Sequence, residues 1–176
     1  GTVTVTATSG ALVQTASVVF TAGPAASITL SVTENSGVAA NDSIMDANGL
    51  ATATVTATVR DNNGNAVSNT VVSFATTLGT ISAQATTNSS GQASVTFSAG
   101  TTSGNATITA QSGSATATTV ITLTPGSAAS IVLISVSASN IAIRSSGMTD
   151  TSMLVFEVRD NKGNPINDGQ AVRFTF

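Results

Sequence analysis

The groups in this 176-residue chain that could do chemistry are eight carboxylates and a large number of Ser and Thr hydroxyls. There is no His, Cys, Tyr or Trp. General acid–base work near neutral pH therefore has no imidazole, and no hydroxyl has an imidazole to activate it. Soft metals have neither thiolate nor imidazole to bind. The inventory argues against an enzyme, and no catalytic residue or organic cofactor is expected.

Oxygen chemistry remains. Glu34, Asp42 and Asp46 fall in one stretch of polar sequence. Calcium takes about six to eight oxygen ligands, and a site between two folded units can draw them from both. These three are the candidates for a junction calcium site, against the plain alternative of a solvated loop. Asp61-Asn62-Asn63-Gly64-Asn65 opens like a calcium-binding loop. Such a loop continues with Gly at its sixth position and a bidentate Glu at its twelfth. Ala66 and Val72 stand there instead. The better reading is a turn in which Asp61 caps its own backbone, Gly64 takes a positive φ and Asn65 closes the turn. Asp160, Gly163, Asn164 and Pro165 repeat the pattern.

Covalent modification has few handles. Lys162 is the only lysine and lies in the second turn, so the central part of the chain cannot form a Lys–Asn crosslink. Asn41, Asn88 and Asn105 begin Asn-x-Ser/Thr triplets, which a chain so rich in Ser and Thr produces by chance. Exposed Thr is dense enough to permit O-glycans.

The elements that position these residues are strands. Asp61 lies in VRDNNGNAVSNTVVSF (Val59–Phe74), which returns as VRDNKGNPINDGQAVRFTF (Val158–Phe176), a spacing of 99 residues. VTVTATSG (Val3–Gly10) returns as ATITAQSG (Ala106–Gly113), and AASITL (Ala25–Leu30) as AASIVL (Ala128–Leu133), both 103 residues on. The chain is thus a window from a tandem array of modules of about 100 residues. Residues 1–23 supply the closing strands of one module, 24–125 a complete module and 126–176 the opening of a third. Pro and Gly mark both junctions, at Gly23–Pro24 and Pro125–Gly126. Such short joins favour modules set end to end.

Within the complete module the two-residue alternation of a half-buried strand recurs. It is expected at Ser27–Thr33, Leu50–Arg60, Asn69–Thr76, Gln92–Ala99, Gly104–Gln111 and Ala115–Leu123. Glu34–Gly49 reads as a loop and Gly79–Thr86 as short and irregular. In the third segment strands are expected at Ser130–Ser137, Met153–Arg159 and Ala171–Phe176, with a loop carrying Arg144 and Asp150. About seven short strands with regular turn signals indicate an all-β, two-sheet antiparallel sandwich. The expected core is Ile28, Leu30, Val32, Val55, Val59, Val67, Val72, Phe74, Ile81, Val95, Phe97, Ile108, Val120 and Leu123. The six Phe are expected to face largely inward.

Charge narrows the partners. Only 7% of residues are charged, and the net charge is −3. Five scattered cations make no basic stripe for nucleic acid and too little for an anionic membrane surface. No apolar run reaches the ~18 residues of a spanning helix. Weakly charged Thr/Val/Ala strands protect edges poorly, so inter-chain strand pairing is a further possibility.

The turn VRDNNGN, Gly79, TTNSSGQASVTF (Thr86–Phe97) and GNATITA (Gly104–Ala110), in that order, resemble the bacterial Ig-like domain of the invasin and intimin adhesins. Ala66 stands where that family usually has Pro, which Pro165 keeps, and Asn88 stands where it usually has Asp. The resemblance implies tandem Ig-like antiparallel β-sandwiches, one complete and two partial. It implies stalk modules of a bacterial surface adhesin that hold a distal binding region, with neighbouring modules as partners. A host receptor would be met through a region outside this chain, and the location would be extracellular. A filament or phage-tail subunit and a direct receptor- or glycan-binding module are the alternatives.

Overall fold

A computed structural model describes residues 1–35, 44–140, 151–166, 169 and 171–175. Asn41, Asp42, Arg144 and Asp150 lie outside the described residues. Every regular element among the described residues is a β-strand, and no helix there is long and apolar enough to cross a membrane.

The chain opens with a hairpin of β1 (Thr2–Ser9) and β2 (Leu12–Val19). Among the described residues between Ser27 and Thr124 nine strands follow: β3 (Ser27–Glu34), β4 (Ile44–Asp46), β5 (Thr52–Arg60), β6 (Val71–Thr76), β7 (Thr80–Ile81), β8 (Gln84–Thr86), β9 (Gln92–Ser98), β10 (Gly104–Ser112) and β11 (Ala115–Thr124). They make two sheets, ordered β3-β5-β9-β7 and β4-β11-β10-β6-β8. A last antiparallel pair, β12 (Ser130–Val136) and β13 (Leu154–Arg159), completes the described strands.

Alternation drives the packing. In β5, Ala53, Val55, Ala57 and Val59 are fully buried while the intervening Thr side chains face outward. Successive side chains on a strand point to opposite faces, so TATVTATV can bury only this set together. Ile108, Ile121, Leu123 and Val72 come from the facing sheet and are likewise sealed. Each such side chain contributes about 1.5–3 kcal/mol by leaving water. Much of the remaining inner surface is Ala: Ala53, Ala57, Ala93, Ala106 and Ala110 are at most 1% exposed.

Four sequence expectations change. Val120 is 44% exposed and Ile121 is buried, because β11 already points Leu123 inward and residues three apart on a strand face opposite ways. Glu34–Gly49 is not all loop: β4 lies in it, pairs in parallel with β11, and buries Met45, with Ala47 buried just beyond. Gly79–Thr86 holds two strands that join different sheets, β7 on β9 and β8 on β6. Ala171–Phe176 carries no strand among residues 171–175. Its counterpart β6 is held between β10 and β8. The aromatic expectation also fails in part: Phe20 and Phe174 are each 61% exposed, although Phe174 stacks at 5.2 Å on Phe156.

The sandwich has two distinct ends. Ser27, Arg60, Thr70 and the Ser112–Ala115 turn gather at the end where the chain enters. Glu34, Thr52, Ser98 and Thr124 lie at the end where it leaves. Three of the four sheet edges are strands of two or three residues, β4, β7 and β8. Short edges give a foreign strand little to pair with. Among the described residues of the sandwich, β3, eight residues long, is the longest edge strand.

Candidate functional site

The site is the pair of Asp-x-x-Gly-Asn turns. At the entry end, Asp61 sits where β5 stops. Its Oδ1 accepts the backbone N–H groups of Asn63 at 2.9 Å and Asn65 at 2.8 Å. An Asp side chain is short enough to bond its own backbone a few residues on, which is why this residue type nucleates such turns. Gly64 supplies the positive φ of 79° that lets the chain reverse. The other oxygen, Oδ2, accepts the Asn65 carboxamide at 3.1 Å and the backbone N–H of Gly23 at 3.0 Å. Gly23 is 38 positions upstream, in the junction itself.

The second turn repeats the arrangement. Asp160 Oδ1 accepts the N–H groups of Lys162 at 2.8 Å and Asn164 at 2.9 Å. Its Oδ2 accepts the Asn164 carboxamide at 2.9 Å and the N–H of Gly126 at 3.0 Å. Gly163 turns the chain with φ 87°, and Pro165 follows, bridged to Arg159. In both cases a further bond anchors the incoming chain: Ala26 N–H to the Arg60 carbonyl, and Ala129 N–H to the Arg159 carbonyl, each 2.8 Å.

The electrostatics follow from the donors. The Asn65 carboxamide, then the Gly23 N–H, hold the Asp61 carboxyl down at about 2 against some opposing desolvation. For Asp160 burial pushes upward most strongly, but the Asn164 side chain and the Gly126, Asn164 and Lys162 amides together lower it well below the usual carboxylate range. Each carboxylate offers about four acceptor sites, and four N–H donors occupy them. These turns are seats for amides, with no lone pair left over for a cation.

The two turns differ in one respect. Asn164 also reaches the exit end of the sandwich: its Nδ2 donates to the Thr101 carbonyl at 2.8 Å, and its Oδ1 accepts the Ser103 N–H at 2.9 Å. Asn164 is only 6% exposed, whereas Asn65 is exposed.

Two of the three calcium candidates fall among the described residues. Glu34 ends β3 in one sheet, while Asp46 belongs to β4 in the other and accepts the Thr124 hydroxyl at 3.4 Å. Asp42 is outside the described residues, and among those described no three acidic side chains gather as a metal site.

Sequence reasoning passed over Gly23 and Gly126 as bonding partners, and Thr101 and Ser103 entirely. The Gly/Pro junctions were the available signal for the first pair. Nothing local marks the second. Thr87 was also passed over. It is 2% exposed, donates to the Val67 carbonyl at 2.7 Å and accepts the Thr70 N–H at 3.0 Å.

Each strand pair is thus capped by an Asp turn that bonds the segment ahead of its first strand. A family model described as invasin, domain 3, matches residues 32–126, more than half of the chain. The chain belongs to the invasin domain 3 family. Two solved structures extend the likeness of this invasin-type chain. The crystal structure of invasin, a bacterial integrin-binding protein, superimposes with a TM-score of 0.64 at 24% identity, over 97% of this chain and 34% of that one. The structure of Yersinia pseudotuberculosis InvD gives a TM-score of 0.60 at 32% identity, over 79% of this chain and 39% of that one. The chain therefore spans less than two-fifths of these relatives. The likeness to invasin shows the shared all-β, Ig-like fold. No match was found among curated protein sequences.

Proposed function

We propose that this chain is a run of stalk modules in a bacterial surface adhesin, built to hold a distal binding region away from the cell. Residues 1–23, 24–125 and 126–176 are then parts of three successive Ig-like modules. One observation carries the reading: the junction is built twice in the same way, with Gly23 on Asp61 and Gly126 on Asp160, each at 3.0 Å. A linker pinned by its own module's first turn has few conformations left. Modules joined so add length with little bending, as in other stacked-repeat proteins. Membership of an adhesin-domain family supports the surface location, and the lack of His and Cys supports a non-catalytic role.

The test is the shape of the full-length protein by electron microscopy, with its mass under denaturing conditions. Thin rods that lengthen by one module per ~100 residues of chain support the stalk. A short chain that builds ordered fibres would favour a filament subunit, and a globular particle would sink both.

A further inference from the structure

The exposed Asn65 and the buried Asn164 occupy the same place in the same turn and differ in what they touch. At the second junction the carboxamide spans the loop between β9 and β10. It donates a hydrogen bond to the Thr101 carbonyl and accepts one from the Ser103 N–H. A primary amide carries one acceptor and a pair of donors, which complements a carbonyl and an N–H two residues apart on the bent backbone of the loop. No side chain of the loop takes part in these two bonds, so the contact reads backbone rather than sequence.

At the first junction the surroundings of Asn65 form an open cleft of about 500 Å³, lined by Gly1, Phe20, Arg60, Gly64, Asn65 and Ser89 among others. In the 103-residue register Gly1 stands where Gly104 stands, and Phe20 where Leu123 stands. The place of Thr101–Ser103 therefore falls immediately ahead of Gly1. The cleft carries the Asp61–Asn65 bond and the Gly23 bond, as the second junction does.

We propose that Asn65 and the cleft beside it are a docking socket for the β9–β10-type loop of a preceding Ig-like module, gripped through one carbonyl and one N–H of its backbone. The Asp of each turn holds the linker and the Asn holds the neighbour. Because the grip is on backbone, a preceding module with a different loop sequence fits the same socket. This rests on the stalk reading, in which another module precedes residue 1.

The experiment joins residues 24–103 directly ahead of Gly1, which in the repeat's register completes the first module, and follows amide hydrogen exchange by NMR. The added copy of Ser103 is expected to exchange slowly. Asn65→Ala should speed that one amide by roughly tenfold or more, the loss of one hydrogen bond, while the original Ser103 stays slow. Asn164→Ala should do the reverse, and this second variant can be read in the 176-residue chain itself. Rates at either Ser103 that ignore the Asn facing it overturn the proposal. So does an extended chain whose added strands stay unfolded, since Gly1 would then not stand in the place of Gly104. Protection of the Asn65 carboxamide that grows with concentration in the unextended chain would assign the socket to a second copy instead, and overturn it too. Exchange reads the socket and rod length reads the stalk, so either can fail without the other.

Discussion

The backbone N–H of Gly23 donates to Oδ2 of Asp61 at 3.0 Å, so the carboxylate that ends β5 also fixes the linker entering β3. The backbone amide of Gly23 and those of Asn63 and Asn65 share one carboxylate. The stability of the sandwich and the direction of the incoming chain are therefore set by the same side chain.

This sharing predicts an acid limit. The Asp61 pKa falls from 3.8 to about 2 on folding, and Asp160 shifts the same way. A carboxyl that is more acidic when folded adds stability above its unfolded pKa and loses it as pH falls through the folded value. Thermal unfolding should therefore be insensitive to these groups above about pH 5 and decline from about pH 4 toward 2. Asp61→Asn should lower the melting temperature at pH 7 and flatten that decline, because its amide cannot accept all four N–H groups. A variant that melts like the parent at pH 7 would refute the shared-acceptor account.

Two glycines should tolerate no side chain. A Cβ on Gly79 would stand 2.5 Å from the Ser98 carbonyl oxygen, and one on Gly91 2.6 Å from that of Val59, both at positive φ. Gly79→Ala and Gly91→Ala should each cost about 3 kcal/mol or more, since the clash adds to the left-handed backbone. Gly113 has a φ of +59° but open space around it, and Gly113→Ala should cost only about 1–2 kcal/mol. Urea midpoints for the three variants check the order.

Neighbouring residues on β11 should behave oppositely. Ile121→Ala removes a fully buried side chain and should cost about 2–5 kcal/mol. Val120→Ala touches the outer face and should stay within about 0.5 kcal/mol. Equal losses in chemical denaturation would mean the strand register is wrong.

Thr87 should depend on its hydroxyl. Thr87→Val keeps the volume but leaves the Thr70 N–H and the Val67 carbonyl without this partner. The expected loss is about 1–3 kcal/mol. Thr87→Ser should recover most of it, and a Ser variant as weak as Val would point to packing instead.

The strands and turns were legible because both have local causes. Alternation marks β5 within its own nine residues, and Asp61 needs only Asn63, Gly64 and Asn65 to make its turn. The all-β sandwich followed from those. What escaped depends on partners far along the chain. Three-residue β4 is a strand only because β11 lies beside it, and β7 and β8 separate only because β9 and β6 draw them to different sheets. The Ala share of the core was hidden because Ala marks a strand without announcing its inner face. Asn164 could be read as a turn residue, but its reach to Thr101, 63 positions away, has no local signature.

The opposed ends of the sandwich matter when the chain is under load. The first long strand, β3, is entered at one end, and the last, β11, is left at the other. A force drawing residues 24 and 125 apart runs along both strands. It strains the eight β3–β5 pairs and the nine β10–β11 pairs in shear, with β4 bracing the last residues of β11 in parallel. Bonds arranged that way share the pull and must give way together, where a strand peeled from one end would lose them singly. Pulled between residues 24 and 125, the sandwich would meet its greatest resistance along the direction of β3 and β11.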